Sequence, residues 1–135
     1  MSAAKPQLTN HDEELFRQVA PKDYRVGNVV TSVTFRPLPK DEGYLSVDRS
    51  SLTTAENSFL QFVNGIGNSV GVLAVTVGEC ANEQLNSYED PLPNNGWHAL
   101  VDFNGLTRGQ QETKAKLLRD IAEKRGYRHG PLPPG

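Results

Sequence analysis

Between Ser69 and Val77 the chain carries its most apolar stretch, with Val70, Val72, Leu73, Ala74, Val75 and Val77 in nearly unbroken succession. Valine has two heavy atoms on Cβ, which stiffens χ1 and favours an extended backbone. A strand that is apolar at almost every position, rather than at alternate ones, has both faces covered. The run therefore predicts a central strand, and it requires other elements to pack above and below it. With 135 residues to supply that cover, the expectation is one domain with one modest core.

Two further segments alternate. Asn28 to Arg36 places Val29, Thr31, Val33 and Phe35 on one face and Val30, Ser32, Thr34 and Arg36 on the other. That pattern predicts a strand, stopped where Pro37 and Pro39 remove ladder donors. Trp97 to Phe103 sets Trp97, Ala99, Val101 and Phe103 opposite His98, Leu100 and Asp102. Residues 44–47 read as a short strand that can pair with the 28–36 segment across a charged turn.

Helical signals fill the gaps. Asn10 as a cap, the acids Asp12, Glu13 and Glu14 at the positive dipole end, and the stripe Leu15, Phe16 and Val19 predict a short surface helix ended by Pro21. Thr53 and Glu56 have capping-box spacing ahead of a helix bearing Ala55, Phe59, Leu60, Phe62 and Val63, with Gly65 and Gly67 at its stop. Residues 79–85 can hold a helical turn. Residues 86–96, with Pro91, Pro93 and Asn94-Asn95-Gly96, predict a long irregular loop. Thr107 caps the longest helix, which packs through Leu117, Leu118, Ile121 and Ala122 and ends near Arg125 at Gly126. The order predicts an α+β fold: a single two-layer domain over 10–129, with a mixed sheet of about four or five strands covered by two or three helices. A flexible arm at 1–9 and a Pro/Gly-rich extended tail at 130–135 flank it.

Fourteen Lys+Arg against sixteen Asp+Glu leave a net charge of -2, which argues against a dedicated nucleic-acid binder. No apolar run approaches the ~20 residues of a membrane span. A single cysteine, Cys80, excludes an internal disulfide and a multi-cysteine zinc site, and it reads as a small buried hydrophobe. The first residues lack an apolar core of the secretory type, so the cytoplasm is the expected location. His11, His98 and His129 are far apart in sequence, and neither a metal nor a cofactor is expected.

Charge is unevenly distributed. Residues 108–128 hold seven basic and three acidic side chains, while the rest hold seven basic and thirteen acidic ones. A solvated helix face explains this, and so does a docking face for an acidic partner, with Lys114, Lys116 and Arg119 as its contacts. The long loop supplies a second candidate surface, in which Tyr88, Glu89, Asp90 and Trp97 combine aromatic anchors with negative charge. The expected function is a small non-enzymatic protein–protein interaction module (an accessory, adaptor or inhibitor protein). Its partner is another protein, and self-association is left open.

The alternative is catalytic. Phe35-Arg36, Leu45-Ser46-Val47 with Thr54-Ala55-Glu56, and Val77-Gly78-Glu79 resemble the pattern of ADP-ribosyltransferase folds, with Ser46-Val47-Asp48 where that family has Ser-Thr-Ser. The resemblance implies a nucleotide-directed enzyme in which Arg36, Ser46 and Glu79 grip a dinucleotide and stabilise a ribosyl cation. That reading requires the three side chains to converge in one cleft. The competing reading makes Arg36, Asp48 and Arg49 surface charges at a hairpin end.

Overall fold

The computed structural model describes residues 5–25, 29–37 and 42–131. In chain order the strands are β1 (Glu14–Val19), β2 (Tyr24–Arg25), β3 (Val29–Val30), β4 (Tyr44–Arg49), β5 (Gly71–Thr76), β6 (Ser87–Glu89) and β7 (His98–Asp102). The helices are α1 (Ala55–Gly65), α2 (Val77–Asn82) and α3 (Arg108–Arg125). Five strands form one sheet in the order β5-β1-β4-β7-β6, and β2 and β3 make a separate ribbon. The α+β class, the five strands and the three helices agree with the sequence reading. The ladders are antiparallel throughout rather than mixed.

The segment expected to be a surface helix is instead β1, which lies between β5 and β4. Leu15 and Val19 belong to the main core and Phe16 to a second cluster on the opposite face. A strand buried on both faces can use the same three positions as a helix stripe, so the pattern did not separate the two. The capping signal at Asn10 is spent on a turn. Its Oδ1 accepts from the Asp12 N–H at 3.1 Å, and its carbonyl accepts from the Glu13 N–H at 3.1 Å.

The apolar run forms β5, and Gly71 to Val75 are buried. Leu73 and Val75 enter the main core, whereas Val72 and Ala74 pack with Phe16, Ala55 and Phe59. Burial of both faces is as expected, but β5 stands at one end of the strand order and not in the middle. Its outer edge is covered by the C-terminal segment: the Val72 N–H donates to the His129 carbonyl at 2.8 Å, and the Arg128 N–H to the Val72 carbonyl at 2.9 Å. At the other end, the Leu8 N–H donates to the Ser87 carbonyl at 2.8 Å and the Glu89 N–H to the Pro6 carbonyl at 2.9 Å. The chain thus pairs part of both sheet edges with its own terminal segments, which blunts them as templates for aggregation. Leu8, in the stretch expected to be a flexible arm, is buried in the main core. Residues 1–4 and 132–135 lie outside the described residues.

The 28–36 segment departs most from expectation. After β3 it forms a 3-10 turn, Ser32–Phe35, in which Thr34 and Phe35 are buried. Phe35 joins the same core as Ala115, Leu118 and Ala122 of α3. A β-branched run prefers extension only weakly, and burial of Phe35 decides against it. Among the described residues no hairpin forms with β4, which pairs with β1 and β7; Asn28, Pro39, Lys40 and Asp41 lie outside the described residues.

Caps define the helices. Thr107 and Gln110 form a capping box at the start of α3, and Gly126 follows its end at φ 94. This φ favours glycine because a Cβ would be strained there. Thr54, one residue later than expected, caps α1 by accepting from the Asn57 N–H at 3.1 Å. In the α3 stripe Leu118 and Ala122 are buried, while Leu117 faces outward and Ala115 takes its place.

Helices cover the two sheet faces unequally. The α3 side carries the main core across β5, β1, β4 and β7. On the other side the apolar cluster joins α1 to β5 and β1 alone. This asymmetry positions the candidate site.

Candidate functional site: an open groove on the second face of the sheet

Residues alternate across a strand. Because Leu45 and Val47 point into the main core, Ser46 and Asp48 of β4 point to the other face. The β1–β4 ladder holds only at Leu15↔Arg49 and Phe16↔Asp48. Past that point the Arg17 guanidinium takes over the backbone acceptors, donating to the Thr34 carbonyl at 2.7 Å and the Ser46 carbonyl at 3.0 Å. An open groove of about 930 Å³ lies here. Phe16, Gln18, Ser46 and Asp48 line it from the sheet, Ser58, Gln61, Phe62 and Ile66 from the α1 side, and residues 92–95 from the loop.

The polar floor is a short chain of hydrogen bonds. Gln18 Nε2 donates to Ser58 Oγ at 3.0 Å, and Ser58 Oγ donates to Asp48 Oδ2 at 2.6 Å. Asn95 Nδ2 donates to Asp48 Oδ1 at 2.9 Å. Gln61 Nε2 donates to the Asn94 carbonyl at 2.5 Å, tying α1 to the loop. Asp48 also sits opposite His98 in the β4–β7 register. His98 Nδ1 faces two acceptors, the Asp90 carbonyl at 3.1 Å and Asp90 Oδ2 at 2.9 Å. Two acceptors require the proton on Nδ1. Three exposed large hydrophobic residues, Val33, Ile66 and Leu92, line the groove border beside the exposed polar side chains of Lys22, Asn68 and Asn94.

Arg36, Ser46 and Glu79 do not come together. Arg36 Nη1 lies 3.7 Å from Glu112 Oε1, near the start of α3. Glu79 binds Arg125, at the end of the same helix, through Oε1 at 2.9 Å and Oε2 at 2.6 Å. Those helix positions are separated by about 20 Å at 1.5 Å per residue. Ser46 lies on the opposite sheet face, in the groove. Glu79 also accepts from the Thr76 N–H at 2.8 Å, completing the α2 capping box. Burial alone would raise its carboxyl pKa, but the Arg125 guanidinium and the Thr76 amide outweigh this and hold it below the ordinary value. Its partners are structural.

The expected basic face is partly committed to the fold. Lys114 Nζ donates to the Glu83 carbonyl at 2.6 Å, and Arg119 Nη1 to the Val30 carbonyl at 3.1 Å. Lys116 is exposed. Within the expected loop, Tyr88 and Glu89 belong to β6, where Tyr88 bridges Gln7 and pairs with Leu100. Asp90 holds Lys5 at 2.6 Å as well as His98, and Glu89 lies 3.7 Å from Arg49. Trp97 is half-buried, with its Nε1 enclosed and without a hydrogen-bond partner. The candidate contacts of the sequence reading therefore spread over several surfaces. The groove residues Gln18, Ser58, Gln61, Ile66 and Leu92 had no signal beyond an apolar residue left outside a helix stripe.

Cys80 is buried, and its burial pushes the thiol up to about 12. It is a packing residue, as expected. Among the described residues no group of three or more His, Cys, Asp or Glu is placed to hold a metal. No described helix is long and apolar enough to cross a membrane. Compared with known proteins, the chain matches no family model, no curated relative and no solved structure.

Proposed function

We propose that this protein is a small non-enzymatic interaction module that docks a segment of a partner protein in the groove beside α1. The observation that carries the reading is the pairing of an open groove with three exposed apolar residues on its border, Val33, Ile66 and Leu92. Exposed apolar residues gathered around a concavity that also offers convergent polar groups favour binding. The groove is preferred to the α3 face because Lys114 and Arg119 already donate to backbone carbonyls. The scatter of Arg36, Ser46 and Glu79 removes the support for a nucleotide-directed enzyme.

The test is a capture from host extract with three single variants beside the parent. Ile66→Asp and Leu92→Asp place a charge on the groove border, whereas Lys116→Glu alters the α3 face. The expected result is one captured protein that both border variants lose and Lys116→Glu retains. Retention by both border variants would refute docking in the groove.

A further inference from the structure

The groove floor has a surplus of hydrogen-bond acceptors. Among the described residues Asp48 has two neutral donors, Ser58 and Asn95, and no ion-pair partner. Gln18 Oε1 and Gln61 Oε1, from side chains lining the same groove, are buried without a donor. The orientation of Gln18 follows from its neighbours: Ser58 gives its only proton to Asp48, so it must accept from the Gln18 amide, which turns the amide oxygen away from any donor. Gln61 is set the same way by the Asn94 carbonyl, which can only accept. An acceptor buried without a donor is costly, and a carboxylate without a cation adds to that cost. Arg17, which also lines the groove, donates to the carbonyls of Thr34 and Ser46, and Lys22 stands exposed at the border.

We propose that the groove selects partner segments carrying an arginine, whose guanidinium pairs with Asp48 and gains the enclosed Gln18 and Gln61 oxygens as those side chains shift to meet it, while a neighbouring apolar side chain rests on Phe62, Ile66 and Leu92. A guanidinium brings five N–H donors in a rigid plane and no acceptor, which complements a floor with unfilled acceptors. Lysine supplies the charge but only a point donor set, so it binds more weakly. This inference rests on the docking reading above and adds the chemistry of the partner.

The probe is the capped tripeptide acetyl-Leu-Arg-Leu-amide, titrated into the isotope-labelled full chain and followed by NMR. Its expected signature is saturable shifts at the Asp48 amide and at the side-chain amides of Gln18, Gln61 and Asn95. Replacing arginine by citrulline keeps the shape and removes the charge, and binding should weaken by about tenfold or more. Asp48→Asn should weaken the arginine peptide similarly and the citrulline peptide markedly less, with the amide spectrum showing that the variant is folded. Equal binding of the arginine and citrulline peptides would overturn the proposal without any variant. Shifts confined to α3 or to the sheet edges would overturn it as well, as would no saturable shift at about 10 mM peptide. The docking reading is tested separately: a captured partner that is lost with Ile66→Asp but kept with Asp48→Asn leaves docking standing and refutes the arginine.

Discussion

Replacing Glu79 by glutamine separates the structural role of this residue from the catalytic one suggested by sequence. The carboxylate accepts three hydrogen bonds, one from the Thr76 N–H and two from Arg125. Glutamine keeps one acceptor oxygen and turns an amide donor toward the guanidinium, so at least one charge-assisted bond is lost. Such a bond contributes about 1.5–3 kcal/mol. The side chains of Arg125 and Glu79 are 20% and 25% exposed, so water screens part of this, and about 1–2 kcal/mol is expected. Glu79→Ala also leaves the Thr76 N–H without its acceptor and should cost about 1 kcal/mol more. Urea denaturation at neutral pH reads both losses as a lower midpoint at unchanged slope. The pH dependence supplies the second arm. The Glu79 carboxyl is held below its ordinary 4.5 in the folded state, so its contribution is present above that value and is lost as pH falls through the folded pKa. The gap between the parent and Glu79→Gln should therefore close in acid. A gap under about 0.5 kcal/mol at neutral pH, or one that does not shrink in acid, would refute the structural assignment.

Four further outcomes are expected. Leu73→Ala, at a fully buried site in the main core, should cost about 2–5 kcal/mol in urea denaturation. Gly71→Ala places a Cβ 2.7 Å from the His129 carbonyl, so it should displace the C-terminal segment and speed amide exchange at Val72 and Arg128, which bond across that edge. Lys114→Glu should destabilise by about 1–2 kcal/mol through its lost carbonyl contact, whereas Lys116→Glu should stay within about 0.5 kcal/mol, both by thermal melting. Cys80 should resist thiol reagents in the native protein and react once urea unfolds it, because both its burial and its raised pKa suppress the thiolate.

Features carried by neighbouring residues were legible in the sequence. The Thr107 cap and the Gly126 stop are local chemistry, and they bound α3 as expected. The alternation after Trp97 placed Ala99, Val101 and Phe103 in the core, since a pleat sends alternate side chains to one face. The valine-rich run announced burial on both sides of β5. It could not announce where β5 stands in the sheet, because cover by two faces is the same whether the outer edge meets a strand or a returning tail. The pattern of residues 14–19 is ambiguous, because Leu15, Phe16 and Val19 satisfy a helix stripe and a two-sided strand equally. Only pairing with β5 and β4 selects extension. The 32–35 turn likewise exists because Phe35 must reach beneath α3, more than seventy residues away in the chain. The groove belongs wholly to tertiary structure: Gln18, Asp48, Ser58, Gln61 and Asn95 come from two strands, a helix and a loop. Their unmatched acceptors become visible only where the backbone brings them together, since hydrogen-bond satisfaction is a property of neighbours in space and not in sequence.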